Sequence, residues 1–140
     1  NKMGTLVEDI IAPAVRPMIR EYFKEEPDFF TVRTEKHIKK LGLRGEFDVI
    51  AATESYVFLV ETKSSPKEKH LNKFDELTER FRRLFPEFDT LKLIPVFASL
   101  RFEDEFLPLA TKKGIYLLAY REWEYMDILN FEAIQQKEKN

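Results

Sequence analysis

The chain has 140 residues, a length typical of a single domain. Hydrophobic residues make up 44% of the sequence and charged residues 34%, so the chain can bury a core and keep a charged surface. The 13 Phe residues argue against intrinsic disorder. A net charge of −2 excludes a uniformly basic nucleic-acid coat and leaves a local basic face open.

Several classes of site lack their residues in this sequence. There is no Cys, which excludes disulfides, Cys-ligated zinc and thiol nucleophiles, and we expect a reducing, cytoplasmic location. The four Gly are too dispersed for a P-loop or a dinucleotide-binding fingerprint. No stretch approaches the length of a membrane span or a signal peptide. We predict one domain over residues 1–140; because residue 1 is Asn, a longer natural chain stays open.

The first half of the chain predicts a helix followed by three strands. The predicted elements are a helix over residues 5–25, a strand over 29–38, a turn over 39–45 and hairpin strands over 47–53 and 56–63. Pro13 and Pro17 are expected to kink or divide the helix. Glu54 and Ser55 form the two-residue hairpin loop, whose turn type the sequence does not fix.

The second half alternates helices and strands. The predicted elements are a helix capped by Ser65, a strand over 91–99, a short helix over 103–113, a strand over 115–120 and a helical tail from Trp123. Pro95 indicates an edge strand or a bulge. The order α-β-β-β-α-β-α-β predicts an α/β domain with a mixed central sheet and helices on both faces.

Three charged residues lie inside or just after apolar strand runs. Asp48 interrupts such a run, and Glu61 and Lys63 follow five apolar residues. A charge there is costly unless it is paired or binds a metal ion. A two-residue turn places Asp48 opposite Glu61, with Cβ atoms about 4.5–5.5 Å apart, and puts Lys63 on the same face. Two facing carboxylates repel each other, which favours a cation between them.

The two strands that carry these charges resemble the core of a nuclease family. The segments are Gly45-Glu46-Phe47-Asp48-Val49-Ile50-Ala51 and Phe58-Leu59-Val60-Glu61-Thr62-Lys63-Ser64. They are similar to the PD-(D/E)xK nuclease superfamily, in particular to a branch of small prokaryotic domains, and the resemblance covers residues 5–99. Phe47 replaces the Pro of the name, which members commonly lack. The resemblance implies a restriction-endonuclease-like fold and a metal-dependent nuclease acting on DNA.

Carried over residue by residue, the resemblance implies a divalent-metal site. Asp48 and Glu61 would hold Mg²⁺ or Mn²⁺, with the Thr62 backbone carbonyl as third ligand, an all-oxygen set that suits hard cations. Lys63 would orient or deprotonate the attacking water and counter the phosphate charge.

The resemblance also bears on the first helix and on assembly. Glu8 matches an acidic residue that many members use as an outer ligand, with Asp9 beside it as an alternative. A plain solvated helix residue is the other interpretation of Glu8. A homodimer is one assembly that the resemblance implies, because many such enzymes pair to cut two strands.

Other interpretations stay open. Asp48, Glu61 and Lys63 also fit a partly buried structural ion-pair cluster. For the whole domain, the alternatives are a catalytically inactive nuclease-fold module that binds nucleic acid or protein, and a structural interaction domain. His37 and His70 are interpreted as surface or packing residues, because no His pair has metal-ligand spacing.

A basic segment precedes the hairpin. Residues 31–44 hold five basic residues against Glu35 alone. These five, which we name the basic rim, are Arg33, Lys36, Lys39, Lys40 and Arg44. A solvated charge run is the default interpretation, and a rim that follows nucleic-acid phosphates is the functional one. Further basic residues that could extend it are Arg80, Arg82 and Arg83.

Overall fold

A computed structural model describes residues 6–121 and 126–140 of the chain. The strands are β1 (Phe29–Ile38), β2 (Leu43–Ala52), β3 (Tyr56–Thr62), β4 (Lys92–Ala98), β5 (Tyr116–Tyr120) and β6 (Met126–Ile128). The α-helices are α1 (Ala12–Met18), α2 (Glu68–Leu84), α3 (Phe106–Lys113) and α4 (Phe131–Lys139). In these ranges, no helix is long and apolar enough to cross a membrane.

The first helical segment is continuous but changes its hydrogen-bonding pattern. Wider π-helical turns, Leu6–Ile11 and Ile19–Phe23, flank α1. Pro13 lies near the start of α1 and Pro17 lies inside it. Because proline has no N–H and its ring crowds the carbonyl four residues earlier, a regular α-helix is disfavoured there. We name residues 6–23 the N-terminal helix.

Six strands form one mixed sheet in the order β1-β2-β3-β4-β5-β6. The first three strands and the β5–β6 pair are antiparallel, whereas β3, β4 and β5 are parallel. The predicted α/β fold class, a mixed sheet flanked by helices, is therefore confirmed. The sheet separates two apolar layers: the N-terminal helix and Ile134 of α4 pack on one face, and α2 and α3 pack on the other.

Three local predictions were wrong. Pro95 lies in central strand β4 and not at an edge; it is tolerated because β5 pairs only with residues 96–98. Helix α2 begins at Glu68 and not after Ser65, because the His70 ring caps it by accepting the Lys67 N–H at 2.9 Å. The helical tail is preceded by strand β6, and Trp123 lies outside the described residues.

Candidate functional site

The β2–β3 hairpin has the predicted register. Val49 pairs with Val60, which makes Asp48 and Glu61 the next opposing positions. The two-residue loop is closed by the Thr53 N–H, which donates to the Tyr56 carbonyl at 2.8 Å. Outside the hairpin, the Glu25 carboxylate accepts hydrogen bonds from the Thr53 hydroxyl and from Ser55, and these bonds hold the pKa of Glu25 below its ordinary value. The turn is therefore anchored to the N-terminal segment.

Strands β2 and β3 part at the site. Their ladder ends at the Val49–Val60 pair, beyond which β2 pairs with β1 and β3 pairs with β4. In a continued ladder, Phe47 and Thr62 would exchange both backbone hydrogen bonds. Instead, Oδ2 of Asp48 accepts the Thr62 N–H at 2.8 Å. Because the N–H and C=O of one residue in an extended strand point to the same side, we expect the Thr62 carbonyl to face the same gap.

A kink in β2 turns Asp48 into this gap. The Phe47 ring is buried on the α2 face against Phe81 and Phe85, the face that Ile50 also joins. Strict alternation would place residues 47 and 50 on opposite faces, so the strand is irregular at Asp48. The packed ring of Phe47 thus fixes the position of the strand next to Asp48.

Strand β1 is also irregular, at the position opposite Asp48. Arg33 stands opposite Asp48, between the Val32–Val49 and Thr34–Phe47 pairs, and has a positive φ of 55°. That left-handed conformation is strained for a residue with a side chain. The strain is localised beside the candidate site.

The carboxylates of Asp48 and Glu61 interact directly. The pKa of Glu61 is raised to about 9, mainly by burial and then by the hydrogen bond with Asp48 and the negative charge of Asp48. The positive charge of Lys63 and the Thr62 N–H act in the opposite direction. At neutral pH, Glu61 therefore keeps a proton, because two adjacent carboxylates cannot both ionise without a counter-cation.

This donor set fits a hard divalent cation. It consists of two touching carboxyl groups and a backbone carbonyl that face one gap, and all the donor atoms are oxygen. Residues 6–121 and 126–140 contain no group of three or more His, Cys, Asp or Glu side chains that could hold a metal ion. Only two acidic side chains are thus brought together here.

Glu8 takes a different position. Its carboxylate lies 3.6 Å from Nε of Arg33, and both side chains are about half exposed. The acidic residue predicted as an outer ligand is therefore in an ion pair on the N-terminal helix. Its role as an outer ligand stays a prediction.

A cleft opens from the site toward helix α2. It has a volume of 260 Å³, and we name it the α2 cleft. Its lining residues are Glu61, Lys63, His70, Lys73, Phe74, Glu76, Leu77 and Arg80. Nδ1 of His70 accepts the Lys67 N–H, so in the neutral ring the proton is on Nε2. His70 is thus a capping and cleft residue.

The basic rim is divided between the two faces of the sheet. Arg33 contacts Glu8 on the face of the N-terminal helix, whereas Lys36 contacts Glu87 and the Phe85 ring on the α2 face. Arg44 pairs with Glu35 at 2.8 Å. Lys39 and Lys40 lie on the exposed 3₁₀ turn Lys39–Leu41 between β1 and β2. The five residues do not form one continuous basic surface.

Sequence reasoning missed the part that α2 plays in the site. His70, Lys73, Leu77 and Arg80 follow each other at intervals of three or four residues, which places them on one side of a helix. The spacing was visible in the sequence. Which side of the helix faces Glu61 depends on the packing of α2 against the sheet.

The protein is an α/β domain with a mixed sheet, and it holds the carboxyl pair Asp48 and Glu61 where strands β2 and β3 diverge. A family model described as a domain of unknown function (DUF8196) matches residues 18–126. This match covers more than half of the chain, so the protein belongs to that family. Among curated proteins, no sequence matches the chain significantly.

Several solved structures are similar to this chain. Protein VC1899 from Vibrio cholerae has a TM-score of 0.55 and 13% identity, over 98% of this chain and 32% of that protein. AF1548, a protein of unknown function, has a TM-score of 0.51 and 16% identity, over 89% of this chain and 63% of that protein. A repair endonuclease from Pyrococcus abyssi has a TM-score of 0.48 and 12% identity, over 78% and 46%. At these identities the similarity concerns the fold alone.

Proposed function

We propose that this domain is a metal-dependent nuclease of the PD-(D/E)xK type that hydrolyses phosphodiester bonds in DNA. The observation that carries the proposal is the Asp48–Glu61 pair in the gap between β2 and β3, with Lys63 beside it. A partly buried carboxyl pair in which the pKa of one member, Glu61, is raised to about 9 is typical of functional sites. The motif resemblance at the same residues supports the same reaction class.

The residues have separate roles in this proposal. Asp48, Glu61 and the Thr62 carbonyl would hold Mg²⁺ or Mn²⁺, which supplies Lewis acidity toward the phosphodiester group. Glu61 would hold the cation as a carboxylate, because the charge of the cation would replace the proton as the partner of two carboxylates. Lys63 lines the cleft next to Glu61, where its ammonium group can orient the attacking water and oppose the phosphate charge.

The proposal is tested by incubating linear, circular and branched DNA with the protein in Mg²⁺, in Mn²⁺ and in EDTA. We expect cleavage with either metal and none in EDTA, and at least about a 100-fold loss in Asp48→Asn. Asp89→Asn, at an exposed residue outside the site, is the matched control and keeps wild-type cleavage. Metal-independent cleavage, or full activity in Asp48→Asn, contradicts the proposal.

A second candidate function is a catalytically inactive nuclease-fold module that binds nucleic acid or protein. One observation favours it: in the described ranges no third acidic side chain joins Asp48 and Glu61. This candidate predicts DNA binding without cleavage in any metal, in wild type and Asp48→Asn alike.

A further inference from the structure

The α2 cleft lies between the candidate site at the end of β3 and basic side chains of helix α2. Glu61 and Lys63 of the β3 end form one side, and the α2 residues Lys73 and Arg80 form the other. Three basic side chains thus face the cleft, against two acidic ones, Glu61 and Glu76. Three basic against two acidic side chains give the cleft a net positive charge even when both carboxylates are ionised.

The basic side chains of the cleft differ from those of the basic rim in their ion pairing. Among the ion pairs of the described ranges, none involves Lys63, Lys73 or Arg80. In the basic rim, by contrast, Arg33 and Arg44 each contact a carboxylate. Charge that is unpaired inside a concave surface attracts an anionic ligand more strongly than paired charge on a convex one.

The positive charges around the cleft also act on the pKa of His70. Burial lowers the pKa of His70, and neighbouring lysine ammonium groups lower it further. The lysines concerned are Lys63, Lys69, Lys73 and Lys67. A neutral His70 with its proton on Nε2 offers a hydrogen-bond donor to an anion in the cleft.

We propose that the α2 cleft binds the phosphodiester backbone of a single DNA strand, with Lys73 and Arg80 on phosphates beside the one held at Asp48 and Glu61. This inference rests on the proposed function for the identity of its ligand. Lys73 and Arg80 are seven positions apart, which is about 10 Å along the helix. That distance exceeds the size of one phosphate group, so the two side chains contact different phosphates.

The number of contacts sets the size of the expected effect. Each phosphate neutralised on a single strand contributes about 0.7 to the slope of log affinity against log salt. Replacing Lys73 and Arg80 by Ala should therefore reduce the slope by about 1.4. If the two proteins bind equally at 1 M salt, the same slope change weakens binding about 25-fold at 0.1 M.

The test measures fluorescence anisotropy of a short labelled single-stranded DNA in EDTA over a range of salt concentrations. The proteins are wild type, Lys73→Ala/Arg80→Ala, and the conservative Lys73→Arg/Arg80→Lys. Lys24→Ala/Lys139→Ala is the matched control, because it removes the same charge from two exposed residues outside the cleft, one directly after the N-terminal helix and one at the end of α4. We expect the slope to fall only in Lys73→Ala/Arg80→Ala, with unchanged thermal melts in all variants.

The results separate this inference from the proposed function. Equal slopes in wild type and the cleft variant, an equal loss of slope in the control variant, or no binding by wild type each overturn the inference. Cleavage that depends on Asp48 would leave the nuclease standing in those cases. A reduced slope without cleavage in any metal would support the cleft and contradict the nuclease.

Discussion

The β1–β2 ribbon and the α2 cleft are both rich in Lys and Arg, but their charges have different surroundings. On the ribbon, Arg33, Lys36 and Arg44 contact carboxylates, and the side chains point to both faces of the sheet. In the cleft, Lys73 and Arg80 converge on the space next to Glu61. The ribbon cluster is close in sequence, and the cleft cluster is close in space.

A count of basic residues predicts a binding surface only where the side chains lie on one side of their strand or helix. Alternation along a strand sends successive charges to opposite faces, so a basic strand segment divides its charge. A helix repeats the same side every three or four residues, so spaced charges add on one side. We therefore expect the cleft to dominate binding near the site and the ribbon to act at a distance.

The largest effect on cleavage is expected from the cleft residue Lys63, whose role differs from that of Lys73. Lys63→Met should lower the cleavage rate at saturating DNA by about 10²–10⁴-fold, because it removes the ammonium group from the reacting phosphate. Lys73→Met should raise the KM and leave kcat within a few-fold of wild type. Single-turnover and steady-state cleavage assays measure both. If Lys63→Met and Lys73→Met changed kcat and KM in the same way, Lys63 could not be assigned to the chemical step and Lys73 to binding.

The second prediction uses the length of the DNA to compare the two surfaces. Five residues of strand, about 17 Å, separate Asp48 from the start of β2, next to the turn with Lys39 and Lys40. Lys39→Glu/Lys40→Glu should weaken binding of a long duplex by about 60-fold at 0.1 M salt, as expected for two lost phosphate contacts. It should leave a short single strand unaffected. Unchanged duplex affinity would make the rim an ordinary solvated surface.

The third prediction concerns the pH dependence of stability without metal. The folded protein keeps a proton on Glu61 up to about pH 9, whereas the unfolded chain loses it near the ordinary pKa of 4.5. The folded state then binds more protons, so stability falls as the pH rises through that window, by at most about 1.4 kcal/mol per pH unit. Glu61→Gln should remove this fall in urea unfolding in EDTA. Parallel pH profiles for the two proteins would contradict the shared proton.

The smallest effect is expected at Glu8. Its ion pair with Arg33 is exposed, so Glu8→Gln should change the free energy of unfolding by less than about 0.5 kcal/mol. Because Glu8 is not grouped with Asp48 and Glu61, we expect at least about a tenth of wild-type cleavage to remain. Loss of cleavage to the level of Asp48→Asn would assign Glu8 to the metal site.

The sequence predicted the hairpin site because local rules determine it. A two-residue loop fixes the register, and the register alone places Asp48 opposite Glu61. The mixed sheet follows from the order of the elements, since parallel strands need crossover helices. The short helix predicted up to residue 113 ends there, and Gly114 follows it in the left-handed conformation with φ of 73°.

Features that depend on packing between elements were not predictable. The kink at Asp48 arises because Phe47 packs against α2, which breaks the alternation that sequence patterns assume. Pro95 indicated an edge strand or a bulge. Its position in the central strand β4 is explained by β5, which pairs only with residues 96–98. The cleft wall at Lys73 and Arg80 depends on how α2 lies across the end of β3.

The central claim is that Asp48 and Glu61 are held together for a cation and not for stability. Thermal melts of wild type and Asp48→Asn, each with Mg²⁺ and with EDTA, test it most directly. Asn keeps an oxygen acceptor for the Thr62 N–H and removes the negative charge that helps to raise the pKa of Glu61, so Asp48→Asn should melt no lower than wild type in EDTA. At ten times Kd, Mg²⁺ should stabilise wild type by about 1.4 kcal/mol, or about 3–5 °C in Tm, and Asp48→Asn should lose most of that shift. A variant that melts several degrees lower in EDTA, with no Mg²⁺ shift in either protein, would contradict the claim and identify a structural ion-pair cluster.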